Sequence, residues 1–195
     1  MHRIFVSVNL NVGVKDRLSK FLETELRPAV SLGDWRMELR DDWHVTILFI
    51  GDVDDHEIYL ATQAIAETKH LLEPFSLWLE DLEFMKSYED GAGMLWVKTD
   101  FEANKILGGY KEALQNRLLD LGVRFKPERR KFNGHITMLR AKRPSGAKTF
   151  ELPRFDSLEV EVNEVHLMES GKKLPHQPKY ESLQTFSLNG EDDVA

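Results

Sequence analysis

His44-Val45-Thr46-Ile47-Leu48-Phe49-Ile50-Gly51 reads as one extended strand, and its opening pattern recurs as His135-Ile136-Thr137-Met138. In an extended strand residues i and i+2 point to the same face. Each copy therefore presents an imidazole (His44, His135) beside a hydroxyl (Thr46, Thr137) on an apolar element. Two imidazoles and two hydroxyls are the groups needed to move two protons around one anionic centre. The competing reading is a pair of core strands whose histidines are hydrogen-bonded internally. The recurrence argues against it, because the chain holds only seven His and two of them share the same spacing to Thr and the same apolar flank.

Outward from these two stretches, residues 3–10 alternate as a strand and residues 14–30 carry Leu18, Phe21, Leu22 and Leu26 at helical spacing. Residues 36–42 read as a loop. The strand at 43–50 is apolar on both faces beyond Thr46, which predicts a central position in its sheet. A helix is predicted over 55–72, strands over 75–85 and 94–99 with a hairpin connection from Ser87 to Gly93, and a helix over 102–121 that Gly108-Gly109 weakens and could kink. The second motif strand spans 135–141, and two more strands are predicted at 158–168 and 179–188. The acidic tail from Asn189 to Ala195 reads as disordered. Helices and strands alternate without a regular βαβ rhythm, and hairpins are implied, so the class is α+β with helices packed outside antiparallel or mixed sheets.

The length of 195 residues fits one domain or one domain of two lobes. Composition is ordinary for a globular protein, no apolar run is long enough to span a bilayer, and the start lacks the pattern of a signal peptide. With no Cys there are no disulfides and no thiolate metal sites. A net charge of −7 speaks against a general nucleic-acid binder. Charge is uneven, though. Between Arg124 and Lys148 the chain carries Arg124, Lys126, Arg129, Arg130, Lys131, Arg140, Lys142, Arg143 and Lys148 against Glu128 alone. An acidic body with a basic stretch bracketing the second motif suggests a small anionic ligand or a nucleic-acid end. Charge runs are also commonly solvated loops, and the embedded motif favours the first reading.

The motifs and their setting resemble the 2H phosphoesterase superfamily, and within it the RNA 2′,3′-cyclic phosphodiesterase branch, also called 2′-5′ RNA ligase. Arg3-Ile4-Phe5-Val6-Ser7-Val8 is similar to that branch's first strand, Met94-Leu95-Trp96-Val97 to its middle strand, His135 through Arg140 to its second motif, and Val165 to Ser170 with Tyr180 to its closing strands. The similarity covers roughly residues 3–188. One departure is Arg40-Asp41-Asp42-Trp43, where the branch often has Pro; acidic side chains there would repel a phosphate and are expected to point away.

The resemblance implies a single catalytic domain over 1–195, a bilobal, pseudo-twofold pair of antiparallel sheets with outer helices and a central cleft to which each lobe gives one motif. It implies hydrolysis of RNA 2′,3′-cyclic phosphate ends to a 2′-phosphate, with ligation as the reverse reaction, no cofactor and no metal, and a cytoplasmic monomer whose partners are RNA ends or small nucleotides with a cyclic phosphate. His44 is then the general acid and His135 the general base, with Thr46 and Thr137 on the phosphate. The rival readings are a phosphodiesterase for another cyclic nucleotide or a 2′-5′ oligonucleotide, and an RNA- or nucleotide-binding module without turnover. Arg140 and Arg130 are candidate phosphate or RNA contacts, with Lys126 and Lys131 as further rim cations. Strict alternation puts Arg140 on the face opposite His135, so only a bulge or the strand end brings it into the cleft. Phe132, Trp43 and Phe84 are candidates for stacking on a base. His56 and His70 read as solvent-facing and His166 as a packed core histidine.

Overall fold

Three strand-to-helix junctions set the architecture, and each is closed by an Asn or Asp side chain that accepts a backbone N–H of the first helical turn. The computed structural model describes residues 1–30, 34–86, 92–142, 149–171 and 177–189. Asn11 caps α1 (Val12–Phe21) after β1 (His2–Asn9). Asp54 caps α3 (Asp55–Thr68) after β3 (His44–Val53), in a reciprocal box with Glu57. Asp100 caps α4 (Phe101–Asp120) after β5 (Ala92–Thr99). The predicted helix at 14–30 is present as α1, a π-helical turn at Leu22–Leu26 and the short α2 (Arg27–Ala29).

The remaining strands are β2 (Trp35–Met37), β4 (Phe75–Lys86), β6 (His135–Ala141), β7 (Leu158–Val162), β8 (Glu164–Ser170) and β9 (Tyr180–Ser187). They form two antiparallel sheets, of order β3-β1-β8-β9 and β2-β6-β5-β4-β7. Each motif strand is the return arm of the same unit. β5–α4–β6 runs strand, helix, strand; β1 and β3 likewise flank α1, with α2 and β2 inserted before β3, and in both units the two outer strands pair antiparallel. This repetition is the pseudo-twofold expected from the resemblance. Leu18 and Leu26, Ala61 and Ile65, and Leu107, Leu114 and Leu118 bury the helices in one hydrophobic cluster shared with both sheets.

Four expectations are corrected. The predicted loop at 36–42 overlaps β2 and holds a 3-10 turn at Arg40–Asp42; with three residues β2 is too short to show a period, and its pairing with β6 is what defines it. β3 is an edge strand, not a central one. Its two apolar faces have another cause: β3 lies against both α4 and β6. The stretch 158–168 is two strands in different sheets, because the chain passes from one sheet to the other at Asn163, whose carbonyl accepts the Leu188 N–H. Gly108-Gly109 leaves α4 unbroken, and a Cβ at Gly108 would come to 3.3 Å from Phe132 Cβ, so its lack of a side chain admits that ring. The hairpin connection at 87–91, Arg143, Lys148, His176 and the tail from 190 lie outside the described residues.

Candidate active site

Register brings the motifs to one face. In the first sheet Asn9 faces His44 and Ser7 faces Thr46; in the second Lys98 faces His135 and Trp96 faces Thr137. Both ladders then skip one residue immediately after the threonine. Val6 pairs with Leu48, leaving Ile47 extra, and Leu95 pairs with Leu139, leaving Met138 extra. A bulge reverses the inside–outside parity of the residues beyond it. Phe49 and Arg140 therefore return to the histidine face, and Arg140 reaches the cleft by the exception that alternation alone leaves open.

The cleft encloses about 450 Å3 including its mouth and is lined by Glu38, Asp42, His44, Thr46, His135, Thr137, Arg140 and Tyr180. It gathers both predicted pairs and Arg140. Arg130 is absent from it, because its guanidinium forks onto Glu128 at 3.0 and 2.6 Å on a separate groove.

Each imidazole is oriented the same way. His44 Nδ1 lies 2.7 Å from the Asp42 carbonyl and His135 Nδ1 2.8 Å from the Asn133 carbonyl. A carbonyl only accepts, so in both rings Nδ1–H donates and Nε2 is left as the working nitrogen. His44 Nε2 takes a hydrogen bond from the Thr46 hydroxyl at 3.1 Å. His135 Nε2 meets no protein partner among the described residues. Aromatic rings hold both imidazoles in place. Trp96 stacks on His135 with centroids 3.5 Å apart and planes at 15°, while Phe5 and Tyr180 pack on His44 at 4.9 and 4.8 Å. The indole face also favours a positive His135.

Burial pushes the His44 pKa down to about 4, and the nearby His135, Lys15 and Arg140 push in the same direction. His135 is lowered as well, chiefly by burial and then by Arg140. Both rings of the free protein are therefore neutral at pH 7.

Below the cleft a buried charge network fixes Arg140. Glu38, 6% exposed, receives Arg36 at 2.9 Å, Arg140 Nε at 3.1 Å and the Lys179 ammonium. Asp42 does not point away, contrary to expectation. It is 5% exposed and lines the cleft, accepting the Lys179 N–H at 2.7 Å with the Lys179 ammonium 3.4 Å from its other oxygen. Lys179 offsets the repulsion that an acidic residue there would exert on a phosphate, and the clamp seats the adjacent Tyr180 against His44.

The stacking candidates fall elsewhere. Trp43 is buried, Phe84 packs with Trp35 and Phe150, and Phe132 packs on the core. Half-exposed Phe49 lies on the histidine face opposite Phe5, with Arg3 5.8 Å from its ring. Sequence reasoning missed Glu38, Phe5, Phe49 and Trp96; their only signal is cross-strand register. His166 is buried between Thr185 and Glu164, and His56 and His70 are exposed. Among the described residues no three His, Asp or Glu are grouped to hold a metal, and no helix is long and apolar enough to cross a membrane.

The family described as AKAP7 2'5' RNA ligase-like domain matches residues 3–188. An RNA 2',3'-cyclic phosphodiesterase of Bacillus subtilis is 24% identical over 185 residues, covering 95% of this chain and 96% of that protein. The crystal structure of TT0787 of Thermus thermophilus superposes with a TM-score of 0.75 at 26% identity, covering 97% of this chain and 99% of that one. Escherichia coli LigT, solved with 3'-AMP, has a TM-score of 0.77 at 17% identity, covering 96% and 98%, and shares the fold.

Proposed function

Because this chain belongs to the AKAP7 2'5' RNA ligase-like domain family, we propose that it hydrolyses RNA ends carrying a 2′,3′-cyclic phosphate. The reading rests on one observation above all: two imidazole–hydroxyl pairs from different sheets, with both working nitrogens free of any backbone bond, line one cleft beside Arg140.

His135 Nε2 takes a proton from water, whose oxygen attacks phosphorus. The bond from phosphorus to the 3′ oxygen breaks, and His44 Nε2–H supplies the proton that makes it a hydroxyl, leaving a 2′-phosphate. The Thr46 and Thr137 hydroxyls and the Arg140 guanidinium hold the non-bridging oxygens, where charge accumulates in the transition state. Phe49 sits one side-chain repeat beyond Thr46, about 7 Å along the sheet, and offers its face to the base. Incubating the protein with an RNA ending in a 2′,3′-cyclic phosphate should yield a 2′-phosphate and a free 3′-hydroxyl. A 3′-phosphate product would reverse the leaving oxygen, and no product would sink the reading.

With a pKa of about 4 in the free protein, His44 becomes an acid only when a bound phosphate places negative charge beside it. Its pKa then rises, so between the free and bound values the complex holds a proton that the free protein lacks. Binding of a nucleoside 2′-phosphate should take up as much as one proton, and affinity should improve as pH falls until it levels near pH 4. Calorimetry in buffers of different ionisation enthalpy reads this directly. Binding without proton uptake would remove His44 from the acid role.

A further inference from the structure

A second feature borders the same loop that presents His135. Between α4 and the segment leading into β6 lies an open groove of about 1060 Å3, counting its mouth. Its lining carries five cations, Lys105, Lys111, Arg129, Arg130 and Lys131, against Glu112 and Glu128, a local excess of three positive charges (five minus two) in a chain of net charge −7.

The cations are not equivalent. Lys111 is buried and commits its ammonium to the Arg130 carbonyl at 3.0 Å. Arg130 is bound to Glu128. Gln115 accepts the Glu128 N–H at 2.7 Å. These bonds staple the segment to α4 and fix its shape. Arg129 and Lys131 remain exposed on the rim, as does Lys105, whose ammonium lies 3.9 Å from the exposed Glu102 carboxylate. Lys131 sits 5.7 Å from the ring of Phe101, which is 68% exposed. An exposed aromatic beside exposed cations on a rigid groove is the arrangement that tracks a single-stranded nucleic acid.

The groove also reaches the catalytic motif. Asn104 lines it, accepts the Gly134 N–H at 2.5 Å and donates to the Thr99 carbonyl at 2.9 Å. Gly134 immediately precedes His135. Groove and cleft share no lining residue, and this hydrogen bond, one residue from His135, links the wall of the one to the motif of the other.

We infer that this groove holds the backbone phosphates of the RNA strand upstream of the reacting end, with Lys105, Arg129 and Lys131 as the contacting cations. The inference rests on the proposed function, since it assigns the rest of the substrate whose terminus occupies the cleft. It makes the protein a reader of RNA length: a mononucleotide uses the cleft alone, and an oligonucleotide uses cleft and groove.

The test compares binding of a nucleoside 2′-phosphate with that of a short single-stranded RNA bearing the same 2′-phosphate end, by fluorescence anisotropy across a salt series. Wild-type protein should bind the oligonucleotide more tightly, with a steeper salt dependence. R129E/K131E should weaken the oligonucleotide about 10-fold or more and flatten its salt slope by about 1.4, at ~0.7 per single-strand phosphate contact. It should leave the mononucleotide unchanged. R129Q/K131Q should do the same to a smaller extent, should charge reversal disturb folding. Unchanged oligonucleotide affinity in both variants would overturn the inference alone. So would equal weakening of both ligands, or displacement of the RNA by an equal concentration of acidic peptide. If neither ligand binds the wild-type protein, the functional reading fails and takes this inference with it.

Discussion

Replacing His135 by alanine is expected to lower turnover of a cyclic-phosphate RNA by about 10²–10⁴, and replacing His44 to do the same, because each removes one positioned proton carrier. Both rings stand at a cleft, and their partners are backbone carbonyls that water can satisfy once the ring is gone. The variants should therefore fold. A second readout separates lost chemistry from lost structure. The folded-state pKa of His44 is about 4, against 6.5 in an unfolded chain. The unfolded chain thus binds the proton first. Stability attributable to the neutral ring is complete above pH 6.5 and is lost as pH falls toward 4, by roughly 3 kcal/mol at most. His44→Ala should show that loss of turnover and also blunt acid unfolding, measured as the melting temperature at pH 7 and pH 4.5. Retention of most activity in either variant would refute the role given to that ring.

The second large effect belongs to a residue that touches no reacting atom. Glu38→Ala strips the buried carboxylate shared by Arg36, Arg140 and Lys179 and leaves three cations crowded together, two of them reaching solvent. With both arginines reaching solvent and Lys179 still facing Asp42, the loss is about 1–3 kcal/mol, which for a chain of this size is a fall of about 2–12 °C in melting temperature. Arg140 also loses the partner that fixes its guanidinium, so KM for the RNA end should rise more than kcat falls. Glu38→Gln keeps the shape and part of the hydrogen bonding; it should recover much of the melting temperature while keeping the raised KM. A variant with normal KM would show that Arg140 needs no such support.

The two motifs are legible because a period-2 pattern survives in the sequence whatever the strand pairs with. Helices α1, α3 and α4 are legible for a similar reason, as local periodicity and local caps. The hidden features depend on partners distant in the chain. β2 is a strand only because β6 lies beside it, and β3 looks central because α4 and β6 cover it. Strict alternation puts Arg140 on the wrong face, and the single extra residue at Met138 corrects that. Trp96 is core by exposure, yet its ring face is half the seat of His135. Asp42 reads as a residue that must avoid the site; 137 residues further along the chain, Lys179 makes its presence tolerable.

Both imidazoles are aimed by main-chain oxygen atoms, those of residues 42 and 133, and not by a carboxylate side chain. The orienting half of the acid–base device is thus written in backbone shape. Swapping the Asn133 side chain leaves its carbonyl in place, so a survey of point variants would score that position as permissive while the ring beside it stays correctly aimed. Only a change in the path of the chain, such as an inserted residue before His135, would turn the ring away.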